Sequence, residues 1–412
     1  WPGMNGSPYM TLEVANILAR LQNIVSLSGA LTTLKANAFN YLDKQITIEV
    51  KELKKAERKG EKHLQPSELA CHYLYSCALA GRNATSDMNY LIDLLDKIPT
   101  QLSIYGKARS AVILAHYGKM KHARDYLQSM NEYSVMNDET GRHYETSKAA
   151  YSWRNYRIPT QVAAIEALKI LSPSDTTTIE EMKRWLLAEK RTQSWDTPIN
   201  TVDAVYAFLT NANGKMDMTK LSSGNNSVLK IDGKTLELSK ATAGLGYIKA
   251  TVPAADNKVL TIEKQSPGTS WGALYASSWQ KLSDVKSSAA GLSVKRDIIP
   301  DHQGILKTGD KVKVRITIKA ERDFDFVQLQ DKRAACMEPA EQLSGYRWGY
   351  YCAPQDNVTN YYFDKLSKGI HVIETSYYLD RTGDYTTGLC TIQCAYSPEY
   401  SGREMVKSLS VK

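Results

Sequence analysis

No run of apolar residues in this 412-residue chain approaches the roughly 18–20 that cross a bilayer. Phenylalanine is scarce, with 5 residues against 25 tyrosines. Tyrosine joins a large apolar body to a polar tip, so this bias suits half-wet strand faces and seams between domains. Histidine is sparse and scattered, at positions 63, 72, 116, 122, 143, 302 and 371. No H-E-x-x-H, no G-x-x-x-x-G-K-[ST] and no G-x-G-x-x-G occurs, which removes the commonest zinc-peptidase, P-loop and dinucleotide signatures. His72 and His116 lie in apolar helical stretches, where a satisfied core histidine is the ordinary reading. The six cysteines include no C-x-x-C and no Cys/His zinc spacing. Neither a metal nor a cofactor is expected.

What is present is ordinary globular composition, 42% hydrophobic and 23% charged. The length predicts two or three domains. The net charge of +8 is spread along the chain, and its densest run, KELKKAERKGEK (51–62), interleaves Glu52, Glu57 and Glu61 with Lys54, Lys55, Arg58 and Lys59. That is the pattern of a solvated helix face with i,i+3 and i,i+4 pairs. No aromatics interleave with the bases, so no nucleic-acid partner is expected. The opening WPGMNGSPYM has neither a charged n-region nor an apolar h-region, and reads as the start of a piece of something longer. Sequons stand at Asn5, Asn83, Asn225 and Asn357 and matter only in a eukaryotic secretory pathway. Cys71 and Cys77 fall on different faces of an expected helix, and Cys390 and Cys394 lie roughly 13 Å apart along an expected strand, so neither pair bridges internally. Cross-strand pairing among Cys336, Cys352, Cys390 and Cys394 stays open.

Up to about residue 210 the signal is helical and repeating. A Ser, Thr or Pro precedes an alanine-rich apolar stripe at 3.6-residue spacing in SPYMTLEVANILARL (7–21), SELACHYLYSCALAG (67–81), IPTQVAAIEALKIL (158–171) and TPINTVDAVYAFL (197–209). About ten such helices predict hairpins stacked around an axis, as in an α/α toroid. At TNANGKMDMTKLSSGNNS (210–227) the period drops from 3.6 to 2. Short strands are expected at 228–232, 234–239, 245–252 and 258–264, with a hairpin turn at Asp232-Gly233. Clean alternating strands follow at 311–320, 370–379 and 385–396, as in an antiparallel β-sandwich. The predicted fold is multidomain: an α/α toroid (1–212), a small antiparallel β unit (213–288) and a C-terminal antiparallel sandwich (289–412).

Three stretches imitate chemistry. Gly268-Thr269-Ser270-Trp271-Gly272 matches G-x-S-x-G, but a nucleophile elbow needs a helix after it. The following ALYASSWQKL alternates like a strand instead. A toroidal glycosidase or lyase would need two acids facing each other, with candidates Glu145, Glu166, Asp196 and Asp203. Asp203 equally suits a polar group tying helix ends together. Cys336-Met337-Glu338 begins like the C-x-E-Q internal thioester, yet Pro339 stands where the glutamine is needed and Gln342 is too far along. The thioester is excluded here.

The stretch around that cysteine, VQLQDKRAACMEPAEQLSGY, resembles the C-terminal sandwich domain of bacterial alpha-2-macroglobulin-like proteins. The shared run is carried by Asp331, Arg333, Ala334, Glu338, Pro339, Ser344, Gly345 and Tyr346. GLCTIQCAYSPEYSG (388–402) is similar to the same domain's last strands, through Tyr396, Pro398 and Glu399. IEEMKRWLLAEKRTQSWDTPINTVDAVYAFL (179–209) resembles the end of the family's thioester domain, through Trp195, Thr197, Thr201, Ala204 and Ala207, and SPYMT (7–11) the start of one of its earlier helices. The resemblance implies that 213–288 is the second half of a CUB-type β domain, with SPGTSWGALYASSW as its last strand.

The family's role is proteinase trapping after bait cleavage, by non-catalytic rearrangement. The resemblance therefore implies proteinase partners for a longer parent, a periplasmic or cell-surface location in a bacterium, and a thioester, if the parent has one, upstream of residue 1. No enzyme activity is expected, and the piece is expected to be monomeric. The seam between toroid and sandwich is expected to use Tyr346, Arg347, Trp348, Tyr350 and Tyr351; the alternative is that these fill the sandwich's own edge. A surface-binding or adhesion module is the competing reading, with Trp153 and Trp195 available to line a glycan groove.

Overall fold

Ser7, Ser67, Ser103 and Thr197 each stand just before an apolar stripe. In the computed structural model each closes a helix N-terminus, its hydroxyl accepting from Met10 N, Ala70 N, Gly106 N and Asn200 N at 3.4, 3.1, 3.1 and 3.1 Å. The structure describes residues 6–97, 102–138, 140–144, 156–192, 195, 197–210, 227–236, 250–253, 259–264, 272 and 274–412. The chain divides into two compact units, Trp1–Leu187 with Trp195–Leu274, and Ala188–Ser194 with Tyr275–Lys412.

The first unit holds α1 (Pro8–Leu21), α2 (Gly29–Arg58), α3 (Glu68–Leu79), α4 (Ser86–Lys97), α5 (Ile104–His116), α6 (Met120–Asn131), α7 (Arg157–Leu171), most of α8 (Thr176–Thr192) and α9 (Pro198–Leu209). Helices α1, α3, α5, α7 and α9 pack side by side in that order, and α9 returns against α1. The result is a closed ring. Its members run parallel, because their paired positions rise together: Asn16 meets Ser76, then Gln22 meets Ala80, and Glu166 shares a partner with Asp203 before Lys169 reaches Ala207. Their alanine-rich stripes are what let the ring close. Ala70, Ala108, Ala111, Ala163, Ala164, Ala167, Ala204 and Ala207 are all buried in one core. Alternating with them along the chain, α2 buries only Ala38, Phe39, Leu42, Ile46 and Val50, at helical spacing, and leaves its KELKKAERKG end in solvent with a Glu52–Lys55 pair at 3.5 Å. The dense charge run is thus a solvated face.

One hairpin in this unit has no counterpart in the sequence expectations, β1 (Ser134–Asn137) with β2 (Gly141–Tyr144). It is held from outside. Gly141 has φ +101°, and a Cβ there would lie 2.2 Å from the Glu181 carbonyl oxygen of α8, so only glycine fits. Arg142 reaches Glu181 at 2.9 Å, and Gln161 of α7 donates to the Arg142 carbonyl at 2.8 Å. Further along, β3 (Ser227–Ile231), β4 (Lys234–Thr235) and β5 (Leu260–Lys264) form a three-stranded sheet. Asp232 (φ 50°) and Gly233 (φ 76°) make the expected two-residue turn, both with positive φ. Residues 237–249 and most of 268–272 lie outside the described residues, and with them most of the strand expected at 245–252 and of the G-x-S-x-G stretch; the described 250–252 form no strand. The alternation at 274–281 forms no strand. Leu274, Tyr275 and Trp279 are exposed and have no neighbouring strand to pair with.

The second unit is the sandwich. Its strands are β6 (Ser288–Ala290), β7 (Leu292–Pro300), β8 (Lys311–Ala320), β9 (Phe324–Lys332), β10 (Met337–Pro339), β11 (Gly345–Arg347), β12 (Tyr350–Pro354), β13 (Val358–Leu366), β14 (Gly369–Leu379), β15 (Gly383–Thr386), β16 (Cys390–Cys394), β17 (Ser397–Glu404) and β18 (Ser408–Val411). Eleven of them make one antiparallel sheet, ordered β10-β14-β8-β7-β6-β17-β16-β9-β13-β12-β11, while β15 pairs with β18. The sheet doubles over where β6 passes to β17, so β7 also packs on β16 and β17. Gly291 stands at that corner with φ +72°, and a Cβ there would meet the Tyr400 ring at 2.7 Å. The two layers enclose Leu292, Val312, Ile316, Ile318, Phe324, Leu329 and Ile392. In β8 the valines and isoleucines are buried and the lysines and Arg315 are not, as period two requires. All six cysteines are free thiols, which closes the question of cross-strand bridges.

Candidate functional site

The sequence nominated acids on the helical ring, aromatics in the 345–351 hairpin and the motif around Asp331. Each has a distinct environment.

On the ring, Glu166 of α7 and Asp203 of α9 do converge, but on an arginine. Arg20 of α1 is buried, bonds Glu166 through Nη1, and lies 3.0 Å from Asp203 through Nε. Its Nη2 donates to the Tyr75 hydroxyl of α3 at 3.1 Å, and Tyr75 in turn donates to the other Glu166 oxygen. The guanidinium also sits 4.8 Å from the Tyr206 ring centroid. Four of the five ring helices are tied at this one point. Two carboxylates locked onto one cation lack the open gap that a water or a sugar needs between a glycosidase's acids. Burial nonetheless pushes the Asp203 carboxyl up, to about 6, because only Arg20 offsets its loss of water while Glu166 repels it. Glu145 and Asp196 lie outside the described residues. The reading of Asp203 as a tie between helices is the one the geometry supports.

At the C-terminal end of the ring, side chains cap their neighbours' open carbonyls. Gln22 donates to Ala80 O at 3.1 Å, Asn23 to Leu79 O at 3.2 Å, and Lys169 to Ala207 O and Thr210 O at 2.8 and 2.7 Å. Burial lowers the Lys169 ammonium to about 7. Trp195 is half-buried against the helical core and donates from Nε1 to Leu186 O at 3.3 Å, so it lines no open groove; Trp153 lies outside the described residues.

In the sandwich, Asp331 and Arg333 are both buried on β9 or just past it, and both act on the fold. Asp331 accepts from Arg296 Nη1 of β7 at 2.7 Å, across the two layers. Arg296 also donates to Lys332 O, Thr387 Oγ1 and Gly388 O at 3.1, 2.5 and 2.7 Å. It was missed in the sequence because its partners are remote. Arg333 donates to the carbonyls of Met337, Gln355 and Asp356 at 2.9, 2.5 and 2.6 Å, which ties the start of β10 to the turn between β12 and β13. Cys336 is buried in that loop, and burial raises its thiol. Glu338 points to solvent, while Pro339 pairs with Tyr377 of β14. The resemblance to a thioester is a structural turn.

The 344–351 stretch splits by strand alternation. Ser344 is exposed and Gly345 opens β11. Tyr350 turns inward, with its ring 5.7 and 5.6 Å from Tyr361 and Phe363. Arg347 bonds Glu341. Tyr346 and Trp348 stand out, Trp348 completely exposed at 101%. Tyr346 faces Tyr351 across the hairpin at 5.0 Å. Of the five nominated residues, therefore, Tyr350 fills the sandwich and Tyr346 and Trp348 are presented outward. Register carries the outward row on from Tyr346 and Tyr351 to Tyr362, Gln328 and Gln393 across β13, β9 and β16. Among the described residues no cluster of three His, Cys, Asp or Glu side chains is placed to hold a metal.

Residues 288–399, the stretch holding the Arg296–Asp331 tie, match the family model "Bacterial Alpha-2-macroglobulin MG10 domain". Over these residues the sandwich is similar to that domain. Tyr396, Pro398 and Glu399 fall at the end of the matched segment, where Tyr396 is exposed and Pro398 lies in β17. Solved structures similar to the whole chain include Escherichia coli alpha-2-macroglobulin activated by trypsin (8% identity, TM-score 0.40, covering 100% of this chain and 28% of that one). The same protein activated by porcine elastase gives 11% identity and a TM-score of 0.38, covering 100% of this chain and 36% of that one. Salmonella alpha-2-macroglobulin reacted with methylamine gives 10% and 0.30, covering 100% and 26%. The chain thus spans about a third or less of the length of these alpha-2-macroglobulins. Comparison with curated proteins gave no match.

Proposed function

We propose that this chain is the C-terminal part of a bacterial alpha-2-macroglobulin-like proteinase trap, built of a toroid (1–212), the closing half of a CUB-type domain (213–288) and an MG10-type sandwich (289–412). The observation that carries the reading is the MG10 match over a sandwich that follows a closed helical ring in the same chain. The similar Escherichia coli protein has been studied activated by trypsin and by porcine elastase, and the similar Salmonella protein reacted with methylamine, which are the events such a trap undergoes. In this reading the chain catalyses nothing. Its partners are proteinases met through the longer parent, and its place is outside the cytoplasm of a bacterium, periplasmic or at the surface. Among the described residues no helix is long and apolar enough to cross a membrane.

The chain's own role is positional. Tyr346 and Trp348, held out on a two-residue turn whose Gly349 has φ +89°, dock against another domain of the parent and let go when the bait is cut. Large exposed aromatics of this kind become anchors when covered. The test is made on the full-length parent with trypsin or elastase. A compaction seen by small-angle scattering, with proteinase retained on a native gel, supports the trap. A parent that neither changes shape nor retains proteinase overturns it. Counting thiols released by methylamine, against an unfolded and alkylated control, then separates a covalent trap (one extra thiol) from a non-covalent one.

A further inference from the structure

The outward face of the layer β12–β13–β9–β16 has a composition unlike the rest of the sandwich surface. Reading across the strands, Tyr351, Tyr362, Gln328 and Gln393 stand in one row, and Asn360, Gln330 and Thr391 in the next. None of them carries a charge. Lys332, Asp364 and Arg403 stay at the rim. Asn360 is nearly buried between the glutamines, accepting from Gln330 at 3.0 Å and donating to Gln355 at 3.2 Å, so the amides are braced before anything binds. Among the described residues the Gln393 side chain has no hydrogen-bond partner, and it is exposed.

Beside the row, two residues from Gln328 on β9, the backbone is strained at an aromatic. Phe326 sits in β9 with φ +57°, a left-handed conformation that costs a bulky side chain of order 1 kcal/mol or more. The strand's alternation breaks between Phe324 and Asp325, both buried, and from there runs regularly, with Phe326 outward on the same side as Gln328. It meets the exposed Tyr396 edge-on at 5.3 Å. The Phe326 carbonyl accepts from Ala395 N at 2.8 Å, so the strained residue also holds β9 to the chain leaving β16 while its ring stays half-exposed on this face.

We infer that this face binds a neutral polysaccharide or oligosaccharide chain laid across the strands. A pyranose offers C–H faces to stack on aromatic rings and hydroxyls that both donate and accept. Fixed amides supply the complementary donor and acceptor in one group, and tyrosines supply ring and hydroxyl together. Nucleic acid would require cations along the face, and a charged peptide would require opposite charges; the central rows provide neither. From β12 to β16 the strands span roughly 14 Å at strand spacing, room for a short oligosaccharide. The row begins beside the docking hairpin, where Tyr351 faces Tyr346, so the inference is tested at Tyr362 and Gln393, which the trap reading does not use.

The test is affinity electrophoresis of this chain through native gels containing a soluble β-glucan, a xylan or a galactomannan. Retardation by at least one of them is expected, weakened about tenfold or more in Kd by Tyr362→Ala and also by Gln393→Ala, whose exposed side chains can be removed without unfolding the sheet. Trp348→Ala should leave retardation unchanged, which separates this face from the docking hairpin. No retardation by any of the three overturns the proposal. So does retardation that survives both substitutions. Protection of Tyr362 from nitration in the sugar-free parent, together with no retardation, would assign the face to contact with another domain instead.

Discussion

Both units bury an arginine, and they do so in opposite ways. In the ring, Arg20 is balanced by side chains from three other helices: two carboxylates and a phenol. In the sandwich, Arg296 meets one carboxylate, and the rest of its bonds go mainly to backbone carbonyls at Lys332 and Gly388. Side chains can be exchanged for apolar ones of similar shape; carbonyls cannot. The helical ring is therefore held by a polar network that in principle could be replaced, whereas the sandwich arginine is part of how the backbone's own hydrogen bonding is completed.

The largest effect should come from breaking the ring's network on one side only. Arg20→Met leaves two buried carboxylates facing each other and is expected to cost about 3–5 kcal/mol in the unfolding of the helical unit. Adding Glu166→Gln and Asp203→Asn should restore most of that loss in urea titrations. Arg296→Met is expected to cost somewhat less, about 3 kcal/mol, but Asp331→Asn should not rescue it, because the orphaned carbonyls remain. Rescue there would collapse the distinction between the two arginines.

Acidity sharpens the same contrast. Asp203 is raised to about 6 in the folded ring, so its contribution to stability is present below the ordinary carboxyl value and lost as pH rises through 6. Lys169 is lowered to about 7, so its contribution is present at alkaline pH and lost as pH falls through 7. Together they place a minimum in the ring's stability between pH 6 and 7. Asp203→Asn should remove the acid limb and Lys169→Met the alkaline one, read as midpoint denaturant concentration against pH. The smallest change is expected at the hairpin: Trp348→Ala should alter the stability of this chain by less than about 0.5 kcal/mol, since the Trp348 side chain is fully exposed. A larger loss would mean that Trp348 belongs to the fold.

Much of this organisation was legible because its causes are local. Serine and threonine caps announced the ring helices, Val312, Val314, Ile316 and Ile318 announced β8, and Asp232-Gly233 announced its hairpin. What escaped notice depends on distant partners. The β1–β2 hairpin has no alternating pattern of its own and exists because Gly141 lets it lie against α8. The alternation at 274–281 had the pattern but no strand beside it. Asp203 was noticed, but its meaning lay in Arg20, and the available signal was a lone arginine inside the apolar stripe of NILARL facing a lone aspartate inside TVDAVYAF. The hairpin aromatics were grouped by composition alone, and only the strand register separates the inward Tyr350 from the outward Tyr346.

The parallel arrangement of the ring also imposes an order of manufacture. Arg20 emerges from the ribosome early, yet Glu166 follows it by 146 residues and Asp203 later still. Through all that synthesis the first helix carries a charge that cannot be put away, while its Gln22 and Asn23 amides wait only until the carbonyls of Ala80 and Leu79 are made. The nascent chain must therefore keep α1 wet and loosely attached until α9 arrives, and a premature stop anywhere before residue 203 leaves an open helical array with an unsatisfied cation on its seam, a ready target for chaperones and proteases.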